Sequence, residues 1–182
     1  METPRPTSAY ELTQTAFESL MKNVCPAATP YPTQNSESNH VSDNEILREF
    51  AGNYSYGTGF WVYYLILNCD QSFYEVIYTD TGGQFITQGN VEIRSGELFF
   101  TASNNSDTKI IIYIPVRWGQ RKYLLEKEYD IQRFCEATTA QEGYQEPRNE
   151  EIFLGLVYLR IGDEKLSVTA LPVSPNGKEL CN

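Results

Sequence analysis

The sequence predicts a mainly β protein: an antiparallel meander closed into a barrel or curled into a half-barrel, with an N-terminal helix and one inserted helix. Three observations predict this class. The apolar runs are short, mostly under about 10 residues, as β-strands require. Turn-forming clusters separate them at hairpin spacing. The strands are so apolar that an open sheet would have unpaired, aggregation-prone edge strands, and barrel closure removes those edges.

Residues 1–24 are predicted to contain an amphipathic helix. Ser8 and Glu11 have the spacing of a capping box, in which each side chain satisfies a free backbone amide at the helix start. Residues 25–44 are rich in Pro, Ser, Thr and Asn and predict a polar linker or surface loop. The only histidine, His40, lies in this linker, where a solvated side chain is the favoured interpretation. The apolar face of the helix comprises Leu12, Ala16, Phe17, Leu20, Met21 and Val24.

Residues 45–172 are predicted to form the β domain, followed by a tail at 173–182. Asn44 is expected to cap a short helical turn whose apolar side is Ile46, Leu47 and Phe50. The inserted helix is expected near residues 126–141, with Cys135 directed inward. The "GTG" at 57–59 is interpreted as a bend at a barrel corner. Strands are expected at 60–67, 73–79, 85–94, 98–101, 109–118, 152–160 and 166–171.

The segment "PVRWGQRKYLL" predicts a hairpin with a defined register. Trp118-Gly119-Gln120-Arg121 fits a two-residue type II′ turn, which has Gly at its first central position. Trp118 is then opposite Arg121. Arg121 is expected near the rim, where its guanidinium can stack on the indole. The packed face of the hairpin is expected to comprise Ile114, Val116, Trp118, Tyr123 and Leu125.

The same register places Arg117 directly against Lys122. Like charges in opposite positions destabilise a sheet by up to about 1 kcal/mol unless an anion offsets them. Residues 109–133 carry six basic and three acidic side chains in a chain of net charge -10. An acidic neighbour from this chain is the favoured explanation, and an anionic partner contacting Arg117 and Lys122 is the alternative. Acidic residues such as Glu146, Glu150 or Glu151 are candidates for this neighbour.

Composition argues against several functions. The acidic sequence pI, near 4.6, disfavours nucleic acid as a partner, and no stretch is long enough to span a bilayer. A Ser-His-Asp or Cys-His mechanism needs a positioned histidine, which a linker does not offer. No metal-ligand spacing or nucleotide-binding loop occurs. We therefore predict a protein that is not an enzyme and has no cofactor and no metal.

The four cysteines leave two interpretations open. Cys25, Cys69, Cys135 and Cys181 have no CxxC spacing, and they could form two disulfides or remain buried thiols. The N-terminus lacks the apolar core of a signal peptide. The compartment is therefore undecided: the protein stays in the cytoplasm, or Met1 replaces a removed leader and the protein is exported to a periplasmic or extracellular location.

Two stretches carry a resemblance to a known family. In "ILREFAGNY", Gly52 and Tyr54 match the Gly-x-Trp motif on the first strand of lipocalins, with Tyr in place of Trp. Arg160 in "VYLRIGD" matches the late-strand Arg that packs across that Trp. "LILNCDQSFYEV" looks like a hairpin frequent in small bacterial lipocalin-like proteins, with Gln71 in place of Gly. The chain thus resembles uncharacterised bacterial lipocalin-like barrels over residues 45–172, which implies a barrel and a cavity.

The leading functional prediction is a non-enzymatic module that binds an apolar or amphipathic small molecule in the barrel. The alternative for the aromatic side chains is that they fill a closed core. The competing function is a protein-interaction domain that uses the Trp118 hairpin or the N-terminal helix. The candidate ligand-binding residues are Trp61, Tyr63, Trp118 and Arg121.

Overall fold

The structure is a computed structural model that describes residues 41–57, 61–79, 81–104, 107–139, 157–168 and 171–181. Helix α1 (Asp43–Phe50) precedes the strands. Its N-cap is Ser42, not Asn44 as expected. The Ser42 side chain accepts from the amide of Glu45, and the Glu45 carboxylate accepts from the amide of Ser42. Ser42 is the better cap because its capping box with Glu45 satisfies both amides.

Eight antiparallel strands form a closed barrel in sequence order, and β8 pairs with β1 to close it. This confirms the predicted fold class. The strands are β1 (Gly52–Gly57), β2 (Trp61–Leu67), β3 (Ser72–Thr79), β4 (Gln84–Arg94), β5 (Glu97–Asn104), β6 (Asp107–Trp118), β7 (Arg121–Glu126) and β8 (Tyr158–Arg160).

The β6–β7 hairpin has the predicted register. Trp118 is opposite Arg121, and Arg117 is opposite Lys122. Gly119 has φ 59°, a left-handed value that a side chain would disfavour and that the first central position of a II′ turn requires. The turn chemistry and the apolar alternation therefore fixed this pairing together.

Alternation along the strands separates two cores. The lumen core contains inward side chains such as Leu65, Phe100 and Leu124, and α1 adds Ile46 and Phe50 at one end of the barrel. We call this end, covered by α1, the closed end. The outer core lies on the opposite face of β6, β7 and β8 and contains Ile114, Val116, Trp118, Tyr123, Leu125, Phe134, Val157, Leu159 and Val168.

The predicted packed face of the hairpin is therefore the outer face of the barrel wall, not the lumen. Helix α2 (Asp130–Thr139) contributes Phe134 to it. The C-terminal segment covers the same face, because Val173 pairs with Arg117 and Cys181 is disulfide-bonded to Cys135. This segment was predicted to be a tail, and the structure instead fixes it against the wall.

The strand predicted at 166–171 is wrong over its described part. Leu166–Val168 contains no strand. Residue Leu166 instead closes a turn with Asp163 and accepts a hydrogen bond from the Arg121 side chain. The eighth strand is β1, which only the family resemblance indicated. The predicted N-terminal helix, most of the linker, residues 58–59 of the "GTG" bend and residues 152–156 of the strand predicted at 152–160 lie outside the described residues.

Candidate functional site

The barrel end opposite α1 exposes inward-facing side chains, and we call it the mouth. Trp61 and Phe85 are 40% and 59% exposed. The register places both on the lumen side, because Trp61 alternates with Tyr63 and Leu65 on β2, and Phe85 is opposite Ile77. Large apolar side chains exposed at the rim of a barrel are typical of a ligand entrance.

A ladder of aromatic rings leads from the mouth into the lumen. Trp61 stacks on Tyr63 at a centroid distance of 6.4 Å, and Tyr63 stacks on Tyr56 at 4.2 Å. Tyr56 meets Tyr158 edge to face at 4.6 Å, and Tyr158 meets Tyr113 at 5.9 Å. Towards the closed end, Phe100 packs edge to face on Tyr113, and Phe73 packs edge to face on Phe100. These rings offer flat apolar surfaces along the lumen.

A carboxylate lies among the deeper rings. Glu75 is half-buried on the lumen face of β3, and its Oε1 accepts a hydrogen bond of 2.7 Å from the Tyr158 hydroxyl. Burial raises the pKa of Tyr158 well above its usual value, and nearby Tyr113 and Glu75 raise it further. The Tyr158 hydroxyl is therefore a permanent donor to Glu75.

Glu126 adds a second carboxylate to the same part of the lumen. It is opposite Tyr113, on the inward face of β7. Burial raises its pKa first of all, the Lys109 ammonium opposes this, and Glu128 and Glu75 add to it. The pKa of Tyr113 is also raised, mainly by burial and then by Glu75 and Glu126. The mouth thus combines aromatic surface with negative charge.

The structure separates the four predicted ligand-binding residues into two pairs. Trp61 and Tyr63 line the lumen at the mouth. Trp118 and Arg121 are on the outer face of the wall, 5% and 1% exposed. Arg121 was expected at the rim, but its Nε donates to the carbonyl of Leu166 at 2.6 Å. It is buried because the C-terminal part of the chain folds over the hairpin.

The basic pair of the hairpin faces the closed end, beneath α1. Arg117 Nε is 3.6 Å from a carboxylate oxygen of Glu49, and Lys122 Nζ donates to the Glu49 carbonyl at 3.0 Å. The acidic neighbour is thus from this chain, as favoured, but it is Glu49. The expected Glu146, Glu150 and Glu151 lie outside the described residues. Lys122 thus satisfies a carbonyl at the C-terminus of α1, where positive charge is favourable, whereas Arg117 Nη2 donates to the carbonyl of Pro175.

The three residues of the lipocalin-like motif lie together at the closed end. Tyr54 is directly opposite Arg160 across the β1–β8 seam, and its hydroxyl donates to the carbonyl of Phe50 at 2.6 Å. A Cβ on Gly52 would lie 3.0 Å from Arg160 Nε, and Gly52 has φ 153°. Glycine thus leaves room for the guanidinium. This cluster holds the barrel closed and lies away from the mouth.

Sequence reasoning missed Glu75, Tyr56, Tyr113 and Tyr158. A signal for Glu75 was present, because it lies between Phe73 and Ile77 at strand spacing and therefore shares their face. The tyrosines carried no such signal, since their positions follow from the register of strands far apart in sequence.

The described residues contain no group of three or more His, Cys, Asp or Glu side chains that could hold a metal ion. In the same part of the chain, no helix has the length and apolar character needed to cross a membrane. No family model, no curated protein and no solved structure matches this chain.

Proposed function

We propose that this protein is a non-enzymatic, lipocalin-like carrier that binds a small amphipathic molecule at the mouth of its barrel. The observation that carries the proposal is the aromatic ladder from Trp61 to Tyr158, which begins at an exposed rim and ends at a hydrogen-bonded carboxylate. An apolar body would lie against the rings, and a polar head would meet Glu75. Burial of apolar ligand surface is the driving force.

The two tryptophans allow a sharp test with a matched control. In a Trp118→Phe variant, Trp61 is the only tryptophan, and its exposed indole should become shielded when the mouth is filled. We expect a saturable blue shift of its emission on titration with neutral linear alcohols. In a Trp61→Phe variant, buried Trp118 should not respond. A Trp61 signal that stays constant with alcohols and with a neutral dye such as Nile red would overturn the proposal.

The structure offers little support for an interaction domain based on the Trp118 hairpin. Its indole is buried, Arg121 is buried and donates to the carbonyl of Leu166, and Arg117 already has the Glu49 carboxylate. The other surface proposed for that function, the N-terminal helix, lies outside the described residues.

We also propose that the protein works in an oxidising compartment. Cys135 and Cys181 form a disulfide, and Cys69 is disulfide-bonded as well. Such bonds persist outside the reducing cytosol. Thiol alkylation of the protein taken from its own cells, read by mass spectrometry, should label none of the four cysteines before reduction. Labelling of all four would contradict this proposal.

A further inference from the structure

A carboxylate, that of Glu75, lies on the lumen face of β3. It is half-buried, and among the described residues it has no ion pair. Its hydrogen bond comes from a neutral hydroxyl, that of Tyr158. A carboxylate removed from water normally has a cationic partner, because desolvation is costly. Among the described residues, Glu75 lacks such a partner.

Its surroundings repel anions and attract cations. Glu126 is close enough to influence the same Tyr113 hydroxyl as Glu75. Lys109 is the cation near Glu126, and it is exposed. The faces of Tyr56 and Tyr63 add the negative potential of aromatic rings, which attracts ammonium groups.

A second observation is an unused hydrogen-bonding group near Glu75. The Tyr113 side chain is only 5% exposed, and its hydroxyl has no hydrogen-bond partner among the described residues. The hydroxyl oxygen itself is not fully buried, so it can still bond a ligand in the lumen. A bound donor between Glu75 and Tyr113 would satisfy both groups. A metal ion is disfavoured, because these carboxylates do not form a metal-holding group in the described part of the chain.

We propose that the ligand is an organic amine: a protonated amino group that pairs with Glu75, joined to an apolar or aromatic body that lies against Trp61, Tyr63 and Tyr56. A primary ammonium provides three donors, enough for Glu75, the Tyr113 hydroxyl and one further acceptor. This inference rests on the proposed function, because it identifies the chemical class of the ligand at the same mouth.

The test compares three ligands that share one body: 4-phenylbutylamine, 4-phenylbutan-1-ol and 4-phenylbutanoate. Calorimetric titration of the full chain at pH 7 should give the amine an affinity at least about tenfold higher than the alcohol, as expected for a charge-assisted hydrogen bond. The carboxylate should bind most weakly. This ranking uses the unmodified protein, so it does not depend on how any variant folds.

Two variants test whether Glu75 causes the preference for the amine over the alcohol. Glu75→Gln should reduce the advantage of the amine over the alcohol to less than about threefold while the alcohol still binds. Glu92→Gln makes the same change in charge on the exposed outer face of β4, and it should leave the advantage intact. If Glu75→Gln folds poorly, Glu126→Gln should still weaken the amine selectively.

The outcomes separate the two proposals. If the alcohol binds as tightly as the amine, the amine inference is overturned and the carrier function stands. An unchanged preference in folded Glu75→Gln would likewise overturn the role of Glu75. If none of the three ligands binds and Nile red does not bind, both proposals fail together.

Discussion

The buried carboxylate of Asp130 joins β7 to α2, and its ionised form lowers the stability of the folded state. Its carboxylate accepts a 2.8 Å hydrogen bond from the amide of Glu126 and so ties the start of α2 to the end of β7. The side chain is 4% exposed. Burial raises its pKa to about 6, although the hydrogen bond from Glu126 opposes this. The ionised form is thus penalised in the folded state.

The sign of the pH dependence follows from that shift. The pKa of Asp130 is higher in the folded state than in the unfolded state. Its ionisation therefore lowers the free energy of unfolding most fully above about pH 6, and this loss of stability fades as the pH falls towards 4. Asp130→Asn keeps an acceptor for the Glu126 amide without the charge. We expect it to raise the free energy of unfolding by about 1–2 kcal/mol at pH 8.

Urea unfolding at pH 8 and at pH 4 checks this expectation, because the gain should vanish at pH 4. An equal gain or loss at both pH values would show that the buried charge is not the cause. Glu136→Gln, an exposed position on the same helix, serves as the control and should change little.

Residue roles were predictable where they depend on local sequence and not where they depend on distant strands. The positive φ of Gly119 and the Trp118–Arg121 pairing followed from local turn chemistry and strand alternation. The carboxylate at the Arg117–Lys122 pair is Glu49, far away in sequence, and could be named only once α1 was placed over the closed end. Burial of Arg121 likewise depends on the path of the chain around Leu166.

At the scale of elements, α2 and the C-terminal segment act as one layer over the wall. Phe134 and Leu180 pack into the same outer core, and the Cys135–Cys181 bond joins them across 46 residues of sequence. A loop of that length loses substantial freedom in the unfolded chain when it is cross-linked, worth up to about 4 kcal/mol.

The double variant Cys135→Ser, Cys181→Ser isolates this bond from the disulfide at Cys69. We expect a loss of about 2–4 kcal/mol and a fall in Tm of roughly 5–15 °C, measured by calorimetry. The spectrum of the folded barrel should be retained. A Tm within about 2 °C of the unmodified protein would mean that packing alone holds the layer.

The sequence predicted most strands to within a few residues because period-two patterning is strong in them. It failed at β1 and at Leu166–Val168. β1, "GNYSYG", has polar residues alternating with tyrosines and little apolar signal, and its identity as a strand depends on pairing with β2 and β8. Leu166–Val168 has the composition of a strand, but Leu166 closes a turn with Asp163 and the stretch forms no strand.

Across the whole molecule, β6 and β7 lie between the lumen core and the outer core. Alternate residues of each strand pack into opposite cores. Packing on either face therefore depends on the same backbone. This arrangement predicts that the two cores unfold together, as small single domains usually do.

The two single-tryptophan variants test this cooperativity. Trp118 reports on the outer core, and Trp61 reports on the mouth. In each variant, the urea midpoint from fluorescence should match the midpoint from far-ultraviolet circular dichroism. A Trp118 transition that precedes loss of β signal would show that the outer layer detaches first.

The three residues of β8 have a consequence for how this sequence can vary. Tyr158 contributes to the lumen core, Leu159 to the outer core, and Arg160 to the seam with Tyr54. The three adjacent positions thus meet three separate structural requirements. A replacement at one position therefore cannot be compensated by a change at its neighbour. In a saturation library selected for folded protein, this tripeptide should tolerate fewer substitutions than any exposed strand segment. Tyr158→Phe should survive selection for folding and be lost only under selection for binding.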